Sequence, residues 1–188
     1  MTIGTKSLLF GAHQFILHPL FVLVAWWKLY GRPKWWELLA IVVHDWGYWG
    51  CPNMDGREGK EHPRRGAELA ARIVLRLVPD PDLELSTKVL RLCCGHSRSY
   101  AKKIRATPSR LCWADKLGVV LEPWWLYLPR VILSGELNEY RWNAAIYHSE
   151  TGRGVRLDKT HRTWFKWLQD LNVKRVLTAR GVPVKAFQ

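Results

Sequence analysis

No stretch of this chain alternates apolar and polar residues over the length of a strand. Its apolar residues recur instead at three- and four-residue spacings, in segments ended by proline and glycine. That pattern predicts an all-α fold. Residues 13–30 read as one apolar helix, broken or restarted at Pro19, because proline suits a first helical turn. Gly31-Arg32-Pro33 is a turn. Residues 34–46 resume a helix whose Leu38, Leu39, Ile41, Val42 and Val43 are apolar nearly all round, which predicts a central position. Residues 47–61 hold four glycines, Pro52, Asn53 and Asp55, and predict a loop. Pro63 opens a helix to about Val78, with Ala67, Leu69, Ala70, Ile73, Val74 and Leu77 inward and Pro79 and Pro81 ending it. Then follow a helix over 83–95, a basic loop (Arg98, Lys102, Lys103, Arg105), and a helix from the Thr107-Pro108 cap to Glu122. Stretches 136–148 and 158–178 close the chain.

Charge narrows the partners. Lys and Arg number 29 against 16 Asp and Glu, a formal charge of +13, which favours nucleotides, nucleic acid or acidic membranes. Residues 151–188 hold nine bases (Arg153, Arg156, Lys159, Arg162, Lys166, Lys174, Arg175, Arg180, Lys185) against two acids, Asp158 and Asp170. The length of 188 residues fits one domain with a small appendage, divided here as 1–135 and a basic helical C-terminal extension, 136–188, packed on it. The stretch Phe15–Trp27 is short for a membrane span and contains His18 and Pro19, so no span is expected. Cys51, Cys93, Cys94 and Cys112 form no CxxC pair and read as reduced thiols of a cytoplasmic protein. The twelve tryptophans are expected mostly in the core and at its edge.

Five short segments carry chemistry: those around His18, the adjacent His44–Asp45, His62, His96 and Asp115. Imidazole and carboxylate together suit Mn, Fe, Co, Ni or Zn. Neighbouring residues sit about 100° apart on a helix, so His44 and Asp45 can serve one cation only where a helix ends. The order of these residues resembles the HD superfamily of metal-dependent phosphohydrolases, with His18 followed 26 residues later by His44–Asp45 and, far downstream, by Asp115. His62 in EHPRRGAEL and His96 in CCGHSR match the two histidines that two-metal members insert. Asp115 in WADKLGVVLEP is similar to the closing stretch of the symmetrical dinucleoside tetraphosphate hydrolases.

The resemblance covers about residues 13–123. It implies an HD-domain helical bundle in which His18, His44, Asp45 and Asp115 bind one metal, and His62, His96 and Asp45 a second. It further implies hydrolysis of a phosphoester or phosphoanhydride bond in a nucleotide by a metal-activated hydroxide, with His44, Asp45 and Lys116 as the catalytic set. Tyr48 stands where two-metal families usually carry a phosphate-binding lysine. Phosphate is therefore expected to lean on Arg98, Lys116, Lys102, Lys60, Arg64 and Arg65, with Tyr48 and His13 in the substrate site. His13 is the alternative to His18 as first ligand. Asp55, Glu58 and Glu61 in the glycine-rich loop could orient an imidazole or act as an acid. A competing expectation is a nucleic-acid-binding protein or nuclease on the same scaffold, engaging nucleic acid through residues 151–188, where Trp164, Phe165 and Trp167 are interleaved with the charge.

Overall fold

Small and β-branched residues at three- and four-residue spacing let helices close on one another. A computed structural model describes residues 1–78 and 83–181; Pro79, Pro81 and Lys185 lie outside them. Among the described residues there are ten α-helices and no strand: α1 (Ile3–Phe10), α2 (Leu17–Tyr30), α3 (Trp35–Val43), α4 (His62–Leu77), α5 (Leu83–Cys94), α6 (Arg98–Lys103), α7 (Arg110–Leu121), α8 (Trp124–Ser134), α9 (Glu136–Thr151) and α10 (His161–Ala179). No helix is long and apolar enough to cross a membrane among these residues.

Helices α2, α3, α4, α5 and α7 share one core, built on Trp26, Ile41, Val43, Val74, Val89 and Leu111 with Ala40, Ala67, Ala70 and Ala114 between them. Each buried Val, Leu or Ile side chain contributes about 1.5–3 kcal/mol. A second core joins α8, α9 and α10 through Tyr127, Leu128, Val131, Leu137, Ala144, Trp164 and Phe165. Leu8 of α1 lies with Tyr48, Cys51 and Met54 in a third.

The departures from expectation have physical causes. The first long helix begins at Leu17, not at 13, because the Gln14 side chain accepts hydrogen bonds from the backbone N–H groups of Ile16 and Leu17 and so starts the helix there. Helix α3 ends at Val43 rather than 46, and its Leu38 faces solvent. The basic segment after His96 is a short helix, with Ser97 Oγ accepting from Tyr100 N–H. Helix α8 forms despite Pro129 inside it, because Tyr127, Leu128 and Val131 bury one face and outweigh the lost backbone bond. Six of the twelve tryptophans, at 27, 35, 49, 124, 125 and 142, are exposed by 44–62%, whereas Trp26 and Trp164 are buried in the two larger cores.

Two glycines set how α4 meets the turn after α3. A Cβ on Gly66 would lie 2.2 Å from the His44 carbonyl oxygen, and one on Gly47 would lie 2.0 Å from that of His62. Both obstacles are backbone, which cannot swing away. Alanine in an open helix position stabilises by up to about 1 kcal/mol over glycine. Gly66→Ala should do the reverse and cost about 1–3 kcal/mol or more in urea unfolding; a variant as stable as the wild type would show that this backbone contact is not close.

Candidate metal centre

Five helices deliver the centre. His18 is in the first turn of α2, and Asp115 is midway along α7. His44 caps the C-terminus of α3, and Asp45 leads into a single 3-10 turn at Trp46–Tyr48. Because the helix has ended, both members of the pair turn inward: His44 is fully buried and Asp45 is 5% exposed. His62 is the first residue of α4, and His96 follows the end of α5.

Three of the imidazoles are tethered in the same way. His44 Nδ1 donates to Ile41 O at 2.8 Å, His62 Nδ1 to Gly59 O at 2.6 Å and His96 Nδ1 to Cys93 O at 2.5 Å. A carbonyl only accepts, so each ring carries its hydrogen on Nδ1 and turns Nε2 inward. His62 Nε2 and His96 Nε2 then face each other at 2.9 Å. Two lone pairs at that distance repel unless a positive charge lies between them. Burial and the neighbouring His96 push the His62 pKa well down, so a proton is a poor candidate for that charge.

Asp45 divides the histidines between its two oxygens. Oδ2 lies 3.0 Å from His44 Nε2 and 3.1 Å from His18 Nε2, and His18 Nε2 is 3.3 Å from Asp115 Oδ1. Oδ1 lies 3.3 Å from His96 Nε2 and 3.6 Å from His62 Nε2. These approaches are close without being aligned as hydrogen bonds: His18 Nε2, His44 Nε2 and Asp45 Oδ2 are buried with no hydrogen-bond partner. Two groups within this set, His18–His44–Asp115 and His44–Asp45–His96, bring their ligand atoms within 4.8 Å of one another, so the buried cluster could hold metal ions. Orphaned nitrogen and carboxylate atoms converging on one spot are what a divalent transition cation requires.

Burial opposes charge here, and neighbours reverse it. Burial alone would lower the His18 pKa, but the Asp115 and Asp45 carboxylates outweigh it and raise it to about 9. Burial would raise Asp45, yet the neighbouring His44, His13 and His18 imidazoles hold it well below the carboxylate range. Asp115 is held low, against its burial, by His18 and Lys116.

His13 stands just outside the cluster. The break before Leu17 frees it from α2, and its Nε2 lies 3.9 Å from Asp45 Oδ2. Its Nδ1 is 2.8 Å from Ser7 Oγ, which donates to Glu136 Oε2 at 2.7 Å. Sequence reasoning missed Glu136 altogether. It is fully buried, and it also accepts from Ala12 N–H, Ser134 Oγ and Tyr140 Oη. Ser7 and Glu136 are 129 positions apart, and no local motif marks either.

A cavity of about 500 Å³ opens over the cluster. His13, His18, Tyr48, Asp55, Arg98, Asp115 and Lys116 line it from the N-terminal side, and Tyr140, Tyr147, Trp164, Trp167, Asn172 and Arg175 from α9 and α10. Tyr48 stacks flat on His62 with ring centroids 3.8 Å apart, and burial beside Asp45 keeps its phenol neutral. The structure does not bring Arg64, Arg65, Lys60 or Lys102 to this cavity. Arg64 pairs with Glu61 and Glu68, and Arg65 donates to Trp49 O and Cys51 Sγ. Glu58 and Glu61 also lie off it, whereas Asp55 is held there by Asn143. Cys93 and Cys112 are core residues whose thiols burial pushes up. Comparison with family models, curated proteins and solved structures finds no match for this chain.

The His18 shift gives a stability signature for the metal-free protein. An imidazole raised from 6.5 to about 9 binds more proton folded than unfolded across that window. Its contribution is therefore complete below pH 6.5 and lost as pH rises through 9. In chelator, the unfolding free energy should fall over that interval by up to about 1.4 kcal/mol per pH unit. His18→Gln should flatten the slope, and an unchanged slope would assign the proton to another group.

Proposed function

We propose that this chain is a metal-dependent phosphohydrolase of the HD type, acting on a phosphoester or phosphoanhydride bond of a nucleotide. The observation that carries this reading is the convergence of tethered, inward-facing imidazole nitrogens on the two oxygens of one buried carboxylate. His18, His44, Asp45 and Asp115 would hold one cation, and Asp45, His62 and His96 a second. When bound, such cations lower the pKa of water toward neutrality and neutralise charge on phosphoryl oxygens.

The remaining roles fall to the cavity walls. Lys116, Arg98 and Arg175 supply cations at the mouth of the centre for phosphate oxygens. Tyr140, Tyr147, Trp164 and Trp167 offer ring faces and edges to a base. His13 is held by Ser7 and backed by buried Glu136, and its pKa is raised: burial lowers it, but Asp45 and Glu136 outweigh that. It is placed to give a proton to a leaving oxygen. Tyr48, neutral and flat on His62, keeps that ring in position and shields it from water.

Chelation of the purified protein, verified by elemental analysis, should abolish hydrolysis of mono- and triphosphate nucleotides, and Mn, Co or Ni should restore it. Activity that survives verified metal removal overturns the proposal. Asp45→Asn should be the most damaging single change, with a loss of about 10²–10³-fold or more in kcat/KM. His62→Ala and His96→Ala should lower metal content before they lower stability; wild-type protein with one metal per chain and full activity in both variants would reduce the centre to a single site.

A further inference from the structure

The cavity over the centre is one of three that meet at Arg98. A second, of about 770 Å³, runs along α10 and is lined by Trp113, Tyr147, Arg153, Trp167, Lys174 and Arg175. A third, of about 570 Å³, is lined by Arg98, Ser99, Lys102, Arg105 and Pro108. The first two also share Tyr147, Trp167, Leu171 and Arg175, so they adjoin. Each alone has the volume of an ordinary small-ligand pocket, about 300–1,000 Å³. The path is therefore larger than one nucleotide needs.

Its charge is unpaired. Among the described residues, Arg98, Lys102, Arg105, Arg153, Lys174 and Arg175 make no ion pair with a carboxylate. Other basic residues nearby are occupied: Arg156 pairs with Asp158, Lys166 with Asp170, and Arg162 covers the Trp124 ring. Asp170 lines the second cavity, but its carboxylate is taken by Lys166. Arg175 is partly buried with Arg98 as a like-charged neighbour, and both effects push its pKa down. Cations gathered here that no carboxylate pairs define a place for several phosphates.

We propose that this run of adjoining basic and aromatic cavities binds single-stranded nucleic acid and leads it to the His/Asp centre, with Arg98 at the junction. Trp113, Trp167 and Tyr147 stand beside the cations, as a strand with unstacked bases requires. A duplex turns its bases inward and gives these rings nothing to stack on. A membrane surface cannot enter concave cavities, and inorganic polyphosphate would use the cations and leave the tryptophans idle. The reaction at the centre rests on the phosphohydrolase reading; the binding does not. Hydrolysis adds one water to the strand: its oxygen bonds to phosphorus, the bond from phosphorus to one sugar oxygen breaks, and that oxygen leaves with a proton.

The test is fluorescence anisotropy with a labelled oligothymidylate of about twelve nucleotides, in chelator so that the strand is not consumed. Wild-type affinity should fall with salt at a log–log slope of about −0.7 for each phosphate neutralised. The exposed double variant Arg153→Ser/Lys174→Ser should lose at least about tenfold in affinity and make the slope shallower by about 1.4, while mononucleotide hydrolysis stays within about twofold. Arg156→Ser/Lys159→Ser, off the path, should bind as the wild type does. An abasic strand of equal length and a duplex of the same sequence should each bind at least about tenfold more weakly. No saturable binding at low salt, equal binding of the abasic strand or duplex, or a loss confined to the off-path variant overturns the inference. Mononucleotide hydrolysis without strand binding would remove this inference alone; strand binding without hydrolysis of any phosphoester would remove only the phosphohydrolase reading.

Discussion

A carboxylate taken out of water is costly unless positive charge comes with it. Asp45 is 5% exposed and lies within 3.6 Å of imidazole nitrogens from His18, His44, His62 and His96. Most of the molecule's arrangement follows from this crowding. The N-terminal end of α2, the C-terminal end of α3, the first residue of α4, the turn after α5 and the middle of α7 all converge on one carboxylate. Protons can supply part of the charge, as the raised His18 shows, but they cannot relieve the His62–His96 contact, where burial disfavours protonation of His62.

Backbone proximity makes the crowding possible. Gly66 lets α4 lie against the His44 carbonyl, and Gly47 lets the following turn lie against that of His62. Any side chain at either position would move the two helices apart and carry His62 away from Asp45. The carbonyls of Ile41, Gly59 and Cys93 then lock three rings by their Nδ1 atoms. The carbonyls of Gly59 and Cys93 also accept from the backbone N–H groups of His62 and His96, since a carbonyl oxygen has two lone pairs and can take a side chain as well.

The last two helices complete the site rather than extend away from it. Trp164 and Phe165 bury themselves against Tyr127 and so hold α10 on α8. Once held there, α10 turns Trp167, Asn172 and Arg175 toward the cavity over the centre, and α9 adds Tyr140 and Tyr147. Glu136, at the start of α9, reaches back through Ser7 to His13. The basic excess of residues 151–188 accordingly divides: Arg153, Lys174 and Arg175 line cavities, while Arg156 and Lys166 are neutralised locally.

The helical class was legible in the sequence because it depends on local spacing, and the residues of the cluster because their chemistry and order resemble a known metal-binding pattern. Apolar spacing fixes a helix's buried face, and a His-Asp pair beside a predicted helix end can turn both side chains inward only there. Helices α1 and α8 were not legible, since α1 has weak patterning and α8 contains Pro129; burial against other elements decides both. Whether His13 or His18 meets Asp45 more closely depended on where α2 begins, and the Gln14 side chain settled that. The Ser7–Glu136 bond, the aromatic wall from α9 and α10 and the meeting of three cavities at Arg98 join residues far apart in the chain. The sequence alone determined which groups could carry charge and bind metal. Only the tertiary structure decided which of them share one desolvated space, because that depends on how closely whole helices can approach.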